Sequence, residues 1–436
     1  MSIPVSSGLP VIGHTLSFFT DYLGTHQRLH KKYGDLVEAN AFFYKAVYVY
    51  SADANRMVLQ DSDGIFSARR GYWPLMSQLF AEGLLLKDGT DHKLNRRIMQ
   101  KSFQREAMNE YVNLMLPRIK QTIERWPTDK AMKFYPSLKA LTLTLACTVF
   151  AGSKGQKESA ILGKNFDVLL SGTSALVKKR IPGFQFWRSM RSRKILEQYF
   201  RLKVSEQRAS QDHDLFSRLC QSTSDDGEKL SDDEIINHMI FLLFAAHETT
   251  TTAVTTLMAE LARNQEWQAK LRAECQSLGD RNHVLTYEDL DRLPMMEWCL
   301  NECMRLNPPV LTYIRRTTRD CVYQDKTIKA KTFVIVTPAV AHRSERWWKD
   351  PERFDPERFS PERAEHQKHP GCWIPFGSGP HTCLGMRFAY LEAKIILFIL
   401  LQNYQFRFVS EKYRVRFREI PTSIPLDGLP LILTAI

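Results

Sequence analysis

The sequence predicts a mainly α fold with small β-sheets attached, and three observations lead to it. From Asp91 onward, apolar residues return every three or four positions in HKLNRRIMQKSF, EYVNLMLPRIKQTIERW, SLKALTLTLACTVF and ILGKNFDVLLSGTSALV. That spacing lines one face of a helix. The block from Ser231 to Leu278 contains the most apolar helix, and LGMRFAYLEAKIILFILLQNY is strongly helical as well. Strand signals are confined to short patches: the alternating KAVYVY from Lys45 to Tyr50, VYQDKTIKAKTFVIVTP, and the closing VRFREIPTSIPLDGLPLIL. They place the β-rich portions near 35–50, 320–340 and 413–436, with KAVYVY as a half-buried strand.

The chain has 436 residues, 44% hydrophobic and 25% charged, which are ordinary globular values. It shows no low-complexity segment, no fixed-period repeat and no Pro/Gly/Ser-rich linker, so one domain over residues 1–436 is expected. Pro182 and Gly183 break the helical pattern near RIPGFQF, which reads as a mobile surface loop. Pro4, Gly8, Pro10 and Gly13 interrupt the N-terminal apolar residues before they could span a bilayer, and a cytoplasmic protein without a transmembrane anchor is expected.

The eight cysteines contain no CxxC pair, which argues against disulfides and structural zinc. Cys299 and Cys303 lie one helical turn apart with no histidine to complete a metal set, so they read as buried apolar thiols. The formal net charge is +12. No helix-turn-helix, zinc finger or RNP-like motif accompanies it, which disfavours nucleic acid and leaves a solvated basic surface or an acidic protein partner.

One stretch asks for chemistry: FGSGPHTCLG, from Phe376 to Gly385. A thiolate is a strong iron ligand when it faces the metal and is held by backbone N–H groups. Gly377, Gly379 and Gly385 give the chain unusual dihedrals and let it approach a flat cofactor. The following helix would present its positive end to Cys383 and lower the thiol pKa. Taken alone, a lone cysteine among glycines is ordinarily a buried thiol beside a core helix.

The loop is similar to the heme-binding signature of the cytochromes P-450, with Phe376, Gly377, His381, Cys383 and Gly385 at the signature's spacings. Glu302 and Arg305 in NECMRLNPP resemble that family's Glu-x-x-Arg helix. Arg358 in FDPERF resembles the arginine that completes its ion-pair triad, with Arg353 as a second candidate. Physically, Glu and Arg at i, i+3 share a helix face, and a second arginine compensates a buried carboxylate. The resemblance implies a single-domain cytochrome P-450 fold, with heme b between an oxygen-binding helix and the cysteine-loop helix.

FLLFAAHETTTTAVTTLMAEL, from Phe241 to Leu261, puts an acid and several threonines in a helix otherwise apolar enough to be buried, an unfavourable choice that asks for a function. It resembles the family's oxygen-binding helix. Ala245 and Ala246 would leave room for dioxygen, Thr249 would hydrogen-bond the iron-bound group, and Glu248 would relay protons. The family commonly has Gly where this chain has Ala246. Thr250 to Thr252 could equally bond backward to helix carbonyls.

Heme propionates need cations. His92 and Arg96 in DHKLNRR stand at i, i+4 and resemble the family's propionate-binding helix, with His92 replacing a tryptophan. Arg315 resembles its later propionate-binding arginine, Arg316 could exchange with it, and His381 fits the basic position before the cysteine. Substrate contacts are implied at Tyr72, Trp73, Leu75 and Met76, at Phe184 and Phe186, above Ala245, and at Val310, Leu311 and Thr312. Arg69 and Arg70 could hold a carboxylate or form a solvated basic pair.

The implied activity is a monooxygenase, acting with O2 on a lipophilic fatty acid, terpenoid, steroid-like or polyketide substrate. It would work as a monomer, with electrons from a ferredoxin or flavodoxin and its reductase. Arg97, Lys101, Arg105 and Arg387 are the cations expected to attract that acidic donor. A peroxide-driven heme-thiolate enzyme and a non-enzymatic heme-thiolate sensor are the alternatives. The acid–alcohol pair argues against the first, and the second needs neither an electron supply nor a proton relay.

Overall fold

A computed structural model describes residues 2–153, 155–175, 178–281, 283–420 and 422–436. The chain divides into two compact, interleaved units. The first takes residues up to Pro74, Glu297–Cys383 and Arg416–Leu426, and the second takes Leu75–Met296, Leu384–Val415 and Asp427–Ile436.

The first unit is built on a six-stranded sheet. Its strands run in the order Val5–Ser6, Leu36–Ala41, Tyr44–Val49, Phe333–Val336, Tyr313–Thr317 and Phe66–Ser67. Leu36–Ala41 and Tyr44–Val49 form an antiparallel hairpin in the register Leu36 to Val49. Tyr44–Val49 runs parallel to Phe333–Val336, which pairs antiparallel with Tyr313–Thr317. The half-buried reading of KAVYVY is corrected here, because Ala46, Val47, Tyr48 and Val49 are all buried. Alternation sorts them between two cores. Val47 and Val49 pack with Leu36, Val58 and Val334, whereas Ala46 and Tyr48 pack with Phe18, Tyr22 and Val37.

Helices begin well before Asp91, at Tyr22–Tyr33, Ala52–Gln60 and Ala68–Phe80. The first two are short and depend on their caps: Gly24 N–H donates to the Asp21 carboxylate and Ala54 N–H to Ser51 Oγ, which supplies acceptors for the helix's unpaired donors.

The second unit is helical. Its longest helix, Asp232–Arg263, opens on a reciprocal capping box between Ser231 and Glu234 and is followed by Gln265–Gln276. The RIPGFQF stretch is only partly a loop, because helix Gln185–Ala209 starts inside it. That helix is rich in arginine and lysine around most of its circumference. Its inner face holds Phe186, Ser189, Ser192, Leu196, Phe200, Val204 and Gln207, a stripe too polar to announce itself. The helix read through SGTSALV ends at Ser171 with a short turn to Ser174, and Leu176 and Val177 lie outside the described residues.

Helix Met386–Asn403 follows the cysteine loop, and Tyr404 already opens the strand Tyr404–Phe408. This strand pairs with Pro430–Ala435, which in turn pairs with Ala131–Lys133. The closing segment therefore divides. Phe417–Arg418 and Ile424–Pro425 form their own short antiparallel pair, and only the tail joins the three-stranded sheet. Among the described residues, no helix is long and apolar enough to cross a membrane.

Candidate active site

In the first unit the cysteine loop is fixed from several sides. Cys383 N–H donates to Phe376 O at 2.8 Å and Gly377 N–H to Ile374 O at 3.0 Å. Gly377 and Gly379 take φ of 73° and 68°, which L side chains rarely adopt. A Cβ on Gly379 would also stand 2.3 Å from Leu59 O. Gly385 departs from the expectation: its φ is −87°, so no unusual dihedral requires glycine there. Within the second unit its Cβ would meet only Phe103, at 3.9 Å, which leaves that side open for a flat group. Cys383 is exposed, whereas six of the other cysteines are buried and Cys321 is half-buried. None of the eight forms a disulfide.

Tyr313, which the sequence reading passed over, reaches this loop from the sheet. Its hydroxyl lies 2.7 Å from Ile374 O and 2.8 Å from Pro375 O, and it accepts from Gly377 N–H at 2.9 Å. Burial first, then the neighbouring Tyr72 and Cys383, hold its phenol well above the usual tyrosine range, despite the opposing Gly377 hydrogen bond. Two residues on, Arg315 is 3% exposed. It donates to Ile314 O, and among the described residues no carboxylate pairs with it. A buried guanidinium without an acid suits an anionic ligand group. His381 sits half-buried in the turn Gly379–His381.

The Glu302 carboxylate forms a fully buried cluster. Arg305 donates to it twice, at 2.7 and 2.8 Å, and Arg358 Nε lies 3.3 Å from it. Asp355 N–H adds a bond at 2.9 Å. Arg353 contributes only its carbonyl, which accepts from Arg305. The Trp348 ring lies 5.1 Å from the Arg305 guanidinium. Burial pushes Glu302 upward while both arginines and Asp355 N–H pull against it, the balance typical of a paired charge in an interior.

In the second unit, the middle of the long helix turns Ala245, Glu248 and Thr249 to a half-buried face. Thr249 Oγ1 donates to Ala245 O at 2.8 Å. Lys139 Nζ holds Glu248 at 2.8 Å and reaches Asp167 at 3.4 Å, and Tyr135 O–H donates to Glu248 at 3.4 Å. Burial opposes the Lys139 charge, but Glu248 outweighs it and leaves the lysine pKa above its usual value. Thr251 bonds backward to His247 O and shares a hydrogen bond with Thr142. Thr250 bonds to Glu392, a buried carboxyl that desolvation pushes up to about 8.

His92 is buried and Arg96 half-buried on helix Gly89–Gln100. Asn95 between them meets the buried His238 at 2.6 Å, which fastens that helix to the long one. Four cations of the same unit lie on its surface or edge: Arg97 and Arg387 are exposed, Lys101 meets Asp225 at 3.3 Å, and Arg105 meets Glu288 at 2.9 Å.

The substrate positions separate. Tyr72 is buried and its hydroxyl accepts from Ile314 N–H at 3.1 Å, while Leu311 belongs to the core around Phe18 and Tyr22. Trp73 is exposed with Arg69 stacked at 5.0 Å. Phe184 is an exposed cap residue and Phe186 is buried on the inner face of its helix. Leu75, Met76, Val310 and Thr312 are half-buried. Lys139, Tyr313 and Glu392 were missed by sequence reasoning. Only Glu392 carried a signal, as a lone acid in an apolar helix.

A family model described as Cytochrome P450 matches residues 3–425. Cytochrome P450 136 of Mycobacterium tuberculosis is 35% identical over 98% of this chain and 87% of its own length. Abscisic acid 8'-hydroxylase 2 of Arabidopsis thaliana is 26% identical over 99% of this chain and 90% of its own. A cyanobacterial structure, CYP120A1 with retinoic acid bound, superposes with a TM-score of 0.90 at 26% identity, covering 100% of this chain and 99% of that one. The chain belongs to the cytochrome P450 family and is a monooxygenase. Heme suits the residues of the first unit: an exposed thiol on a held loop and a buried arginine without an acid.

Proposed function

We propose that this enzyme holds heme b through Cys383 and oxygenates a terpenoid, by hydroxylation or epoxidation, with electrons from an acidic ferredoxin or flavodoxin and its reductase. The exposed Cys383 on its glycine-bounded loop is the observation that carries the reading. The terpenoid preference draws on the names of two relatives: retinoic acid and abscisic acid are both isoprenoid in origin.

When bound, heme supplies dioxygen activation at an iron whose thiolate ligand pushes electron density toward O–O cleavage. Cys383 supplies that thiolate. His92, Arg96, Arg315 and His381 are the groups for the propionates, and Phe376, Gly377, Gly385 and Ala245 shape the cofactor's surroundings. Glu248 carries protons on a carboxylate that Lys139 and Tyr135 hold in place, and Thr249 Oγ1 passes them onward. Leu75 and Met76 of the second unit, and Val310 and Thr312 of the first, are the half-buried positions assigned here to a lipophilic substrate. Glu302, Arg305 and Arg358 are structural.

The test is the carbon monoxide difference spectrum of the reduced protein beside Cys383→Ser. A red-shifted Soret band that disappears in the variant is expected, and an unchanged variant spectrum removes Cys383 as the ligand. Retinoic acid should then shift the ferric spin state at lower concentration than a saturated fatty acid of similar length. Reduction by an acidic ferredoxin should slow several-fold as salt rises. Salt-independent reduction, also unmoved by charge reversal at Arg97 and Arg387, removes the electrostatic partner.

A further inference from the structure

We infer that Tyr313 is a positioning residue for the cysteine ligand: its hydroxyl pins the entry to the Cys383 loop onto the sheet and so sets the geometry at the sulfur. The inference rests on the reading of Cys383 as the iron's ligand.

Tyr313 opens the strand Tyr313–Thr317, which is held by Phe333–Val336 on one side and by Phe66–Ser67 on the other. Its phenol therefore projects from a paired strand end, with Val336 opposite Tyr313, rather than from a loop. On the Cys383 loop it meets three backbone groups within four residues, spaced for one donated and one accepted hydrogen bond: Ile374 O at 2.7 Å, Pro375 O at 2.8 Å and Gly377 N at 2.9 Å. The next link is direct, since Phe376 O, inside that clamp, accepts the N–H of Cys383 at 2.8 Å.

Gly377 takes φ 73°, which favours glycine whatever its neighbours, and the tyrosine ring lies at ordinary contact range, with a Cβ there 3.8 Å from Cε1. The strand itself is anchored on its other flank, where Ile314 N–H donates to Tyr72 O–H at 3.1 Å. The backbone of Arg315 presses on Gly71, whose Cβ would stand 2.9 Å from the Arg315 Cα. A ligand's orientation depends on such outer hydrogen bonds as much as on the ligand atom. No other side-chain hydroxyl among the described hydrogen bonds reaches Ile374, Pro375 or Gly377.

Tyr313→Phe keeps the ring and removes only the hydroxyl. In the heme-loaded variant, amide hydrogen exchange at Gly377, whose N–H donates to the hydroxyl, should quicken about tenfold, the change expected for one lost hydrogen bond. The ferric low-spin resonance spectrum and the iron's reduction potential should move with it. Unchanged exchange overturns the clamp. Faster exchange with an unmoved potential and spectrum overturns the positioning role and leaves a packing residue. Tyr313→Leu, which also removes the ring, should match the Phe variant in both readouts, and a Leu effect beside a Phe variant equal to the parent overturns the assignment to the hydroxyl. Cys383→Ser tests the ligand reading separately, because exchange at Gly377 reports on the clamp whichever residue binds iron.

Discussion

Lys139 turns the acid of the long helix into one half of an ion pair. The 2.8 Å contact with Glu248, supported by Tyr135, gives the carboxylate a defined position, and Asp167 at 3.4 Å competes for the same ammonium. A part-exposed pair of this kind adds little to stability, so under the proposed relay its effect falls on proton delivery. Lys139→Met should lower product formation several-fold and raise the solvent isotope effect on turnover, with the substrate-induced spin shift unchanged. Turnover and isotope effect both equal to the parent's would detach Lys139 from the relay. None of this was legible from the sequence, since Lys139 lies in a helix of ordinary apolar spacing, about a hundred residues from its partner.

At the scale of elements, the cysteine loop contains two glycines with different reasons to exist. Gly379 is fixed by its own backbone, with φ 68° and Leu59 O where a Cβ would go. Gly379→Ala should therefore lower the melting temperature even of protein stripped of heme. Gly385 has an ordinary φ and an open flank, so Gly385→Ala should leave the stripped protein's melting unchanged and weaken heme retention. Melting curves with and without heme separate the two, and equal behaviour of both variants would refute the distinction. The signature's residues were readable because glycine, cysteine and the Glu-x-x-Arg pair recur at set spacings. Helix Gln185–Ala209 was not, because two serines and a glutamine interrupt its inner face. The hairpin strand Tyr44–Val49 was found but its burial misjudged, because period two looks the same when a strand separates two cores as when it separates core from water.

For the whole molecule, buried ionisable groups set a pH optimum for folding. Desolvation raises Glu392 from its ordinary 4.5 to about 8, so between those values the folded chain holds a proton that the unfolded chain has released. Stability therefore falls as pH rises through that window, by about 5 kcal/mol at most. Burial lowers His26, His238 and His342 from 6.5 to about 3. Below pH 6.5 the unfolded chain takes up protons that the folded one refuses, and stability falls again toward acid. The melting temperature should peak near neutrality. Glu392→Gln should flatten the alkaline side up to pH 8, and a profile unaffected by it would mean that Glu392 is already ionised at neutral pH.

The hairpin that starts the first unit's sheet is completed by a partner made almost three hundred residues later: Val47 lies against Val334. On the ribosome the early strands therefore wait, with an apolar edge unsealed, through most of synthesis. Closure over such a separation is slow, and an open edge recruits other chains in the meantime. The yield of folded protein should thus depend on what shelters residues 36–49 during translation, more than on the stability the finished enzyme attains.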